Sequence, residues 1–254
     1  MFSSIWAALV APALMLASGS ALGVAVPTSA LAFGFCGVLV VYGVDRLRDL
    51  DRDRSTSPAR SAFVARHRAR LVTLYGAAAL VGAGAALALP RPAWALAAVA
   101  GGLGLLHRRL KHVPLLKTGY VTLAWVVVTV GIPACTHPSA TARAGSGSLA
   151  AVALVVGAAI AANLVVSNLR DGESGAAFVG PQTALRVALG CCAAAGLLAL
   201  AADEAGLAAI PAVQAAAIVG LARGPADPER YGLLQIDGAL TAGAVLSLVP
   251  SWIA

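Results

Sequence analysis

Charged residues are scarce in this chain: only 11% of its 254 residues are Asp, Glu, Lys or Arg, whereas 59% are hydrophobic. Soluble globular domains carry about 25% charged residues, so this composition excludes a soluble domain. Aromatic residues make up only 5%, and the mean hydropathy is +0.86. The chain is therefore predicted to be an integral membrane protein.

Acidic residues are the scarcer of the two charge types, with 11 Asp and Glu against 18 Lys and Arg and a net charge of +7. A nucleic-acid-binding protein also has a basic excess, but it presents that charge on a solvated face. Here the basic residues lie between apolar runs of membrane length. We therefore expect no nucleic-acid partner, and the charge instead indicates orientation in the membrane.

Cysteine is rare as well, with four residues in the chain and none at the spacing of a metal site. Three of the four fall inside predicted helices, where a free thiol packs as a small apolar side chain. These residues are Cys36, Cys135, Cys191 and Cys192.

Apolar runs long enough to cross a bilayer, about 17 to 22 residues each, dominate the rest of the chain. They predict an all-α polytopic bundle of about nine transmembrane helices that forms a single domain over residues 1–254. The predicted helices lie near residues 5–26, 28–45, 70–89, 91–107, 117–134, 148–168, 184–202, 205–221 and 232–253.

The basic residues predict the topology, because cytoplasmic loops of membrane proteins carry the positive excess. With the N-terminus inside, all of the 18 Lys and Arg residues except Arg91 and Arg143 lie on the cytoplasmic side. This predicts an N-in, C-out protein of the bacterial inner membrane, with membrane lipids around it and its charged loops in the cytoplasm.

Acidic segments recur four predicted helices apart and suggest two four-helix pseudo-repeats followed by a ninth helix. The first begins at Asp45, at the end of the second helix, and the other contains Asp171, after the sixth. Four is an even number, so both segments face the same side of the membrane.

The first acidic segment places Asp45, Asp49 and Asp53 at successive i, i+4 positions, so their carboxylates share one face of a continued helix. Magnesium prefers one or two carboxylates together with phosphate oxygens and water, so this pattern suits a Mg²⁺–diphosphate site. The alternative is a solvated helix end in which the acids pair with the interleaved arginines. An ionised Asp45 at the membrane interface favours the functional interpretation.

The second acidic segment supplies Asp171 and Glu173, with Asn168 and Arg170 beside them. Alone it is a weak signal, and it gains weight only because it faces the first segment across the predicted bundle.

Between the two acidic segments lies a basic loop over residues 107–117 that contains Arg109, Lys111 and Lys117. One interpretation is a positive-inside anchor that binds anionic lipid headgroups. The other is stabilisation of a diphosphate leaving group.

Over essentially its whole length, this arrangement resembles the UbiA-type intramembrane prenyltransferase superfamily. The run from Asp45 through Asp49 to Asp53 looks like the family's first acidic motif, with Asp45 in the position usually held by Asn. The run Asn168-Leu-Arg-Asp171, followed by residues 180–190, looks like the second motif and the start of helix seven. Residues 110–125 are similar to the loop into helix five. The chain departs from the family at Gly175, where a further acid is usual.

The resemblance implies Mg²⁺-dependent transfer of a polyprenyl group from its diphosphate to a hydrophobic acceptor, either aromatic or lipid. It implies metal ligands at Asp45, Asp49, Asp53, Asp171 and Glu173, of which the four Asp residues would be catalytic. It implies diphosphate contacts at Arg109, Lys111, Lys117, Asn168 and Arg170.

Two other functions stay open at this point. An intramembrane terpene cyclase would use the same donor but give a different product when no acceptor is present. A transporter or a non-catalytic protein of the same fold is favoured by the missing acid at Gly175. Asp237, inside the predicted ninth helix, has a functional and a structural explanation, the latter a hydrogen bond within the bundle.

Overall fold

The computed structural model describes residues 4–110, 116–170, 179–222 and 235–249, and every regular element in these ranges is helical. The elements are α1 (Ile5–Ala21), α2 (Thr28–Arg48), α3 (Leu50–Thr56), α4 (Pro58–Arg66), α5 (Arg68–Leu87), α6 (Arg91–Leu110), α7 (Leu116–Val126), a π-helical segment (Val127–Gly131), α8 (Ile132–Thr136), α9 (Pro138–Arg170), α10 (Pro181–Ala201), a 3₁₀ turn (Ala205–Ala208), α11 (Ala209–Ala222) and α12 (Asp237–Ser247).

A polytopic helical membrane fold is confirmed by the length and hydropathy of these helices. Six stretches of the described residues are long and apolar enough to cross a membrane: Thr28–Arg48, Arg68–Leu87, Leu116–Thr136, Gly147–Leu169, Pro181–Ala201 and Ala205–Ala222. Helix α1 and the Arg91–Leu106 part of α6 are apolar but shorter. Each predicted span overlaps a described helix, while the number of crossings, the N-in orientation and the pseudo-repeat stay predictions.

The predicted first span, residues 5–26, is too long, because α1 ends at Ala21. Gly23 has a φ of 63°, which glycine adopts without steric cost. The Gly23 N–H donates to Ser20 O at 3.1 Å, and the Val24 N–H donates to Gly19 O at 2.8 Å. These two bonds form a Schellman motif, which satisfies the last carbonyls of the helix and stops it.

The beginning of α9 also differs from the predicted 148–168 span. The helix is assigned from Pro138, but Gly145 has non-helical backbone angles, φ 87° and ψ 158°, that interrupt it. The apolar stretch that could cross the membrane is Gly147–Leu169.

Helix α9 lies at the centre of the largest apolar cluster. Val152, Val155 and Ala159 are completely buried, and they pack with side chains from α1, α7, α10, α11 and α12. At the periphery, Leu80 and Leu105 are 78% and 87% exposed. In a bilayer such leucines face lipid, so their exposure carries no penalty.

Small residues allow neighbouring helices to approach closely, as in other membrane bundles. A Cβ added at Gly243 in α12 would lie 2.7 Å from the Ile210 Cα and 3.0 Å from Ala209 O in α11. Because both contacts are to backbone, a side chain at this position would force the two helices apart. Gly243 therefore sets the spacing between α11 and α12.

The short helices α3 and α4 are held together by an ion pair. Arg60 Nη2 donates to Asp53 Oδ2 at 2.8 Å, and the two side chains are only 5% and 22% exposed. The nearby pair of Arg54 and Asp51 is longer, at 3.5 Å, and largely exposed. Exposed pairs contribute little, so the Asp53–Arg60 pair fixes the α3–α4 corner.

We predict that Gly243→Ala lowers the free energy of unfolding by about 1–3 kcal/mol, since overpacking at a backbone contact forces a helix to move. Gly196→Ala in α10 is the control, because a Cβ added there meets nothing within 4 Å. Thermal unfolding of the detergent-purified variants measures both. Equal melting temperatures for the two variants would contradict the close approach.

We also predict that Asp53→Asn destabilises the protein by about 1–3 kcal/mol, because it removes the charge that accepts a hydrogen bond from the buried Arg60 guanidinium. Asp51→Asn, which removes the exposed ion pair, should change stability by less than about 0.5 kcal/mol. Denaturant unfolding in detergent compares the two. A larger loss in Asp51→Asn than in Asp53→Asn would refute this account of the corner.

Candidate functional site

The carboxylates of the first acidic segment lie along a backbone that keeps its helical register beyond the end of α2. The Asp49 N–H donates to Asp45 O at 2.9 Å, and the Asp53 N–H donates to Asp49 O at 2.9 Å. The Ser57 N–H continues the series to Asp53 O at 2.7 Å. Successive i, i+4 bonds place the three carboxylates on one side of the chain.

A bend at Asp49 divides this acidic stretch into α2 and α3. Asp49 caps α2 with φ −92° and ψ 12°, and α3 begins at the next residue. Asp45 and Asp49 are both partly buried, whereas the Asp51 side chain is 91% exposed. The acidic segment thus has an inner face and a solvent face, and Asp51 belongs to the solvent face.

Asp53, a predicted metal ligand, accepts a hydrogen bond from the buried guanidinium of Arg60. A carboxylate has two oxygens and about four lone-pair sites, so one such bond does not exhaust it. Sequence reasoning missed Arg60, because it lies seven residues from Asp53, in another helix, and no local periodicity connects the two positions.

The beginning of α7 meets the end of α9, where Asn168, a predicted diphosphate ligand, lies. Asn168 Nδ2 donates to Thr118 Oγ1 at 3.3 Å, and Asn168 is 8% exposed. Lys117 immediately precedes Thr118 near the N-terminus of α7. Lys117 and Asn168 therefore lie in adjoining turns of α7 and α9.

Helix α2 contacts α7 through an aromatic pair. The rings of Tyr42 and Trp125 are 6.4 Å apart with an interplanar angle of 75°, an edge-to-face arrangement. Farther from the acidic end of α2, Gly34 faces Val128. Moving back along α2 therefore means moving forward along α7, and the two helices run antiparallel.

The same register places the acids of α2 level with the start of α7. Asp49 follows Tyr42 by about two helical turns, and Thr118 precedes Trp125 by about two turns. Since Tyr42 and Trp125 are in contact, Asp49 and Thr118 lie at the same end of the bundle. Asn168 is hydrogen-bonded to Thr118, so the end of α9 is there too.

Five of the predicted site residues cannot be placed in this arrangement. Lys111, Asp171 and Glu173 lie outside the described residues, as does Gly175. Arg109 and Arg170 lie in α6 and α9, but their side chains are outside the described part of the structure.

The residues at this end of the bundle suit a magnesium ion that also binds a substrate phosphate. Within the described ranges, no three His, Cys, Asp or Glu side chains converge on one point. Magnesium does not require such a cluster, since it commonly takes one or two carboxylates with phosphate oxygens and water. Asp45 and Asp49, one helical turn apart and partly buried, provide that carboxylate pair.

A second polar group lies deeper among the helices, near the aromatic pair. Asn163 Nδ2 donates to both Asp237 Oδ1 and Ile236 O, each at 3.3 Å, and joins α9 to α12. Asp237 lies in the first turn of α12 and directly follows two π-helical residues. Sequence reasoning offered a hydrogen bond within the bundle as the structural explanation of Asp237, and the structure identifies Asn163 as a donor of that bond.

Two solved structures share the fold of this chain. A UbiA homolog from Aeropyrum pernix K1, solved without ligand, matches with a TM-score of 0.62 and 17% identity over 95% of this chain and 98% of that one. A UbiA homolog from Archaeoglobus fulgidus, bound to GPP and Mg²⁺, matches with a TM-score of 0.57 and 14% identity over 98% of this chain and 100% of that one.

No protein-family model matches the sequence, and no curated protein matches it significantly. The likeness therefore lies in the arrangement of the helices, and it covers nearly the full length of each structure compared. This chain thus shares the fold of the two UbiA homologs.

Proposed function

We propose that the chain is a UbiA-type intramembrane prenyltransferase that requires Mg²⁺ and transfers a polyprenyl group from its diphosphate to a hydrophobic acceptor. The observation that carries the proposal is the convergence of the Asp45 and Asp49 face with Lys117 and Asn168 at one end of the bundle. The GPP and Mg²⁺ in the Archaeoglobus fulgidus structure support it, because that protein has the same fold.

The donor diphosphate needs both a metal and fixed positive charge. Asp45, Asp49 and Asp53 would hold Mg²⁺, together with Asp171 and Glu173, which lie outside the described residues. Bound there, Mg²⁺ would neutralise charge on the diphosphate oxygens. Lys117 and Asn168 would donate hydrogen bonds to the same oxygens, as would Arg109, Lys111 and Arg170.

The reaction would break the bond between C1 of the prenyl group and the diphosphate oxygen, and the electron pair would leave with the diphosphate. The allylic cation that forms must be sheltered from water until the acceptor attacks it. The apolar walls of α1, α7 and α9 provide that shelter, because their side chains form the largest buried cluster. The acceptor, aromatic or lipid, loses a proton as the new bond forms.

Transport is the second candidate, favoured by polar side chains that are buried within apolar helices. Gln214 in α11 is 0% exposed, and both of its amide atoms are without a hydrogen-bond partner in the described part of the chain. Transporters place such groups near the membrane midplane. A terpene cyclase would use the same donor site as the prenyltransferase. It would differ only in the product that it forms when no acceptor is present.

The proposed function predicts that Asp49→Asn abolishes Mg²⁺-dependent binding of geranyl diphosphate and lowers diphosphate release by about 100-fold, equivalent to about 3 kcal/mol. Asp51→Asn is the matched control, since the same change is made two residues away on the exposed face. Removing Mg²⁺ with EDTA should reproduce the Asp49→Asn result in the wild type.

Binding is measured with radiolabelled geranyl diphosphate on detergent-purified protein, and release by a diphosphate assay. Unchanged binding in Asp49→Asn, or binding that is insensitive to EDTA, would refute the proposed donor site. Absence of binding together with solute uptake into proteoliposomes would favour transport.

A further prediction concerns the positive charge at the start of α7. Lys117→Met should weaken geranyl diphosphate binding by about ten-fold, because it removes a charge-assisted hydrogen bond to phosphate. Arg91→Met is the control, since Arg91 is exposed at the start of α6. Leu96, nearby on that helix, packs against Gly131. Gly131 follows Trp125 along the chain, so this part of α6 lies on the other side of the aromatic pair from Lys117. Equal losses in both variants would show a general effect of charge instead of a local contact.

A further inference from the structure

Three exposed arginines lie at the corner between α4 and α5, and the proposed donor site does not include them. Arg66 is the last residue of α4, and Arg68 and Arg70 lie in the first turn of α5. In the part of the chain that the structure describes, none of the three pairs with an acid. The corner therefore presents positive charge that the described residues do not neutralise.

The acids nearest to this corner along the chain already pair with other arginines. Residues 50–70 contain six arginines but only two aspartates. Asp51 pairs with Arg54 at 3.5 Å, and Asp53 pairs with the buried Arg60 at 2.8 Å. Both aspartates thus compensate arginines that precede α5, and the charge of the corner is left for a partner outside the chain.

Two of the exposed arginines lie on one side of the chain. The His67 N–H donates to Phe63 O, and the Leu71 N–H donates to His67 O, each at 3.0 Å. These bonds keep the helical register from α4 into α5, so Arg66 and Arg70 are neighbours one turn apart, with about 5–6 Å between their Cβ atoms. Like charges at this spacing repel each other, and an anion bound between them would remove the repulsion.

The corner is placed to meet the headgroups of a bilayer. Helix α5 has 20 residues and is apolar enough to cross a membrane. A helix of that length spans about 30 Å, which is the thickness of the hydrocarbon core. When α5 crosses a bilayer, its first turn, with Arg68 and Arg70, therefore lies at one membrane surface.

Below the arginines, α5 presents an apolar face to its surroundings. Tyr75 packs against α2, whereas Val72, Leu80 and Val81 are exposed. Arg70 and Val81 are 11 residues apart, which is about three turns, so both lie on the same face of the helix. A lipid with its phosphate at Arg70 would have its acyl chains along this face.

We propose that the α4–α5 corner binds an anionic phospholipid, with its phosphate between Arg66 and Arg70 and its acyl chains along the exposed face of α5. Arginine donates charge-assisted hydrogen bonds to phosphate oxygens, which accounts for the headgroup. A zwitterionic lipid carries its own cation beside the phosphate, so a lipid without an amine, such as phosphatidylglycerol, fits the corner better. This inference goes beyond the proposed function and does not depend on it.

The test is native mass spectrometry of the detergent-purified full chain, titrated with dioleoylphosphatidylglycerol or dioleoylphosphatidylcholine. The wild type should bind one phosphatidylglycerol about ten-fold more tightly than phosphatidylcholine. Arg66→Gln and Arg70→Gln should each weaken phosphatidylglycerol binding by about five-fold, because an arginine near an anionic lipid contributes about that much. Phosphatidylcholine binding should change little.

Arg54→Gln is the matched control, because it removes the same charge from the preceding helix, where Arg54 is paired with Asp51. This variant should keep the wild-type preference for phosphatidylglycerol. Equal losses in Arg54→Gln and Arg70→Gln would show a diffuse attraction to positive charge and would overturn the site. A wild type that does not distinguish the two lipids would overturn it as well.

A competition experiment separates a lipid site from a site for phosphate alone. Inorganic phosphate and glycerophosphoglycerol, the headgroup without acyl chains, are added to the complex of the wild type with phosphatidylglycerol. Neither should displace the lipid at about 100-fold molar excess, because the acyl chains contribute to its binding. Displacement by either compound would overturn the assignment to a phospholipid.

Discussion

The structure depends on a run of backbone hydrogen bonds that continues past the end of α2. The bonds from Asp49 to Asp45 and from Asp53 to Asp49 keep the helical register through a bend. Without that register, the i, i+4 spacing would not place the carboxylates on one side, and Asp45 and Asp49 would not form a pair.

Contacts between helices fix the position of this acidic segment relative to the rest of the bundle. The contact of Tyr42 with Trp125 fixes α2 against α7, and the hydrogen bond from Asn168 to Thr118 fixes α9 against α7. Helix α7 is thus the common partner of α2 and α9. The π-helical segment Val127–Gly131 follows it directly, and Thr129 Oγ1 donates to Trp125 O at 2.8 Å, which ties the segment to the aromatic residue.

Asp53 and Asp237 lie at different depths in the bundle, so burying their carboxylates costs different amounts of free energy. At the end of the bundle, Asp53 is neutralised by Arg60 at 2.8 Å, although both residues lie in a charged and partly solvated segment. Deeper, Asp237 has the amide of Asn163 beside it. An ionised group within apolar helices is expensive, so the deeper carboxylate requires a functional or structural reason, whereas the outer one does not.

The sequence by itself determined the membrane class, the approximate positions of the long apolar helices and the shared face of Asp45, Asp49 and Asp53. These follow from composition, apolar run length and helical periodicity, which are local properties of the chain. The tertiary structure decided the rest: the partner of Asp53, the meeting of Asn168 with Thr118, and the pairing of Asn163 with Asp237. Asn163 and Asp237 are 74 residues apart. Contacts across such separations depend on how helices pack, and no pattern within a single helix encodes them.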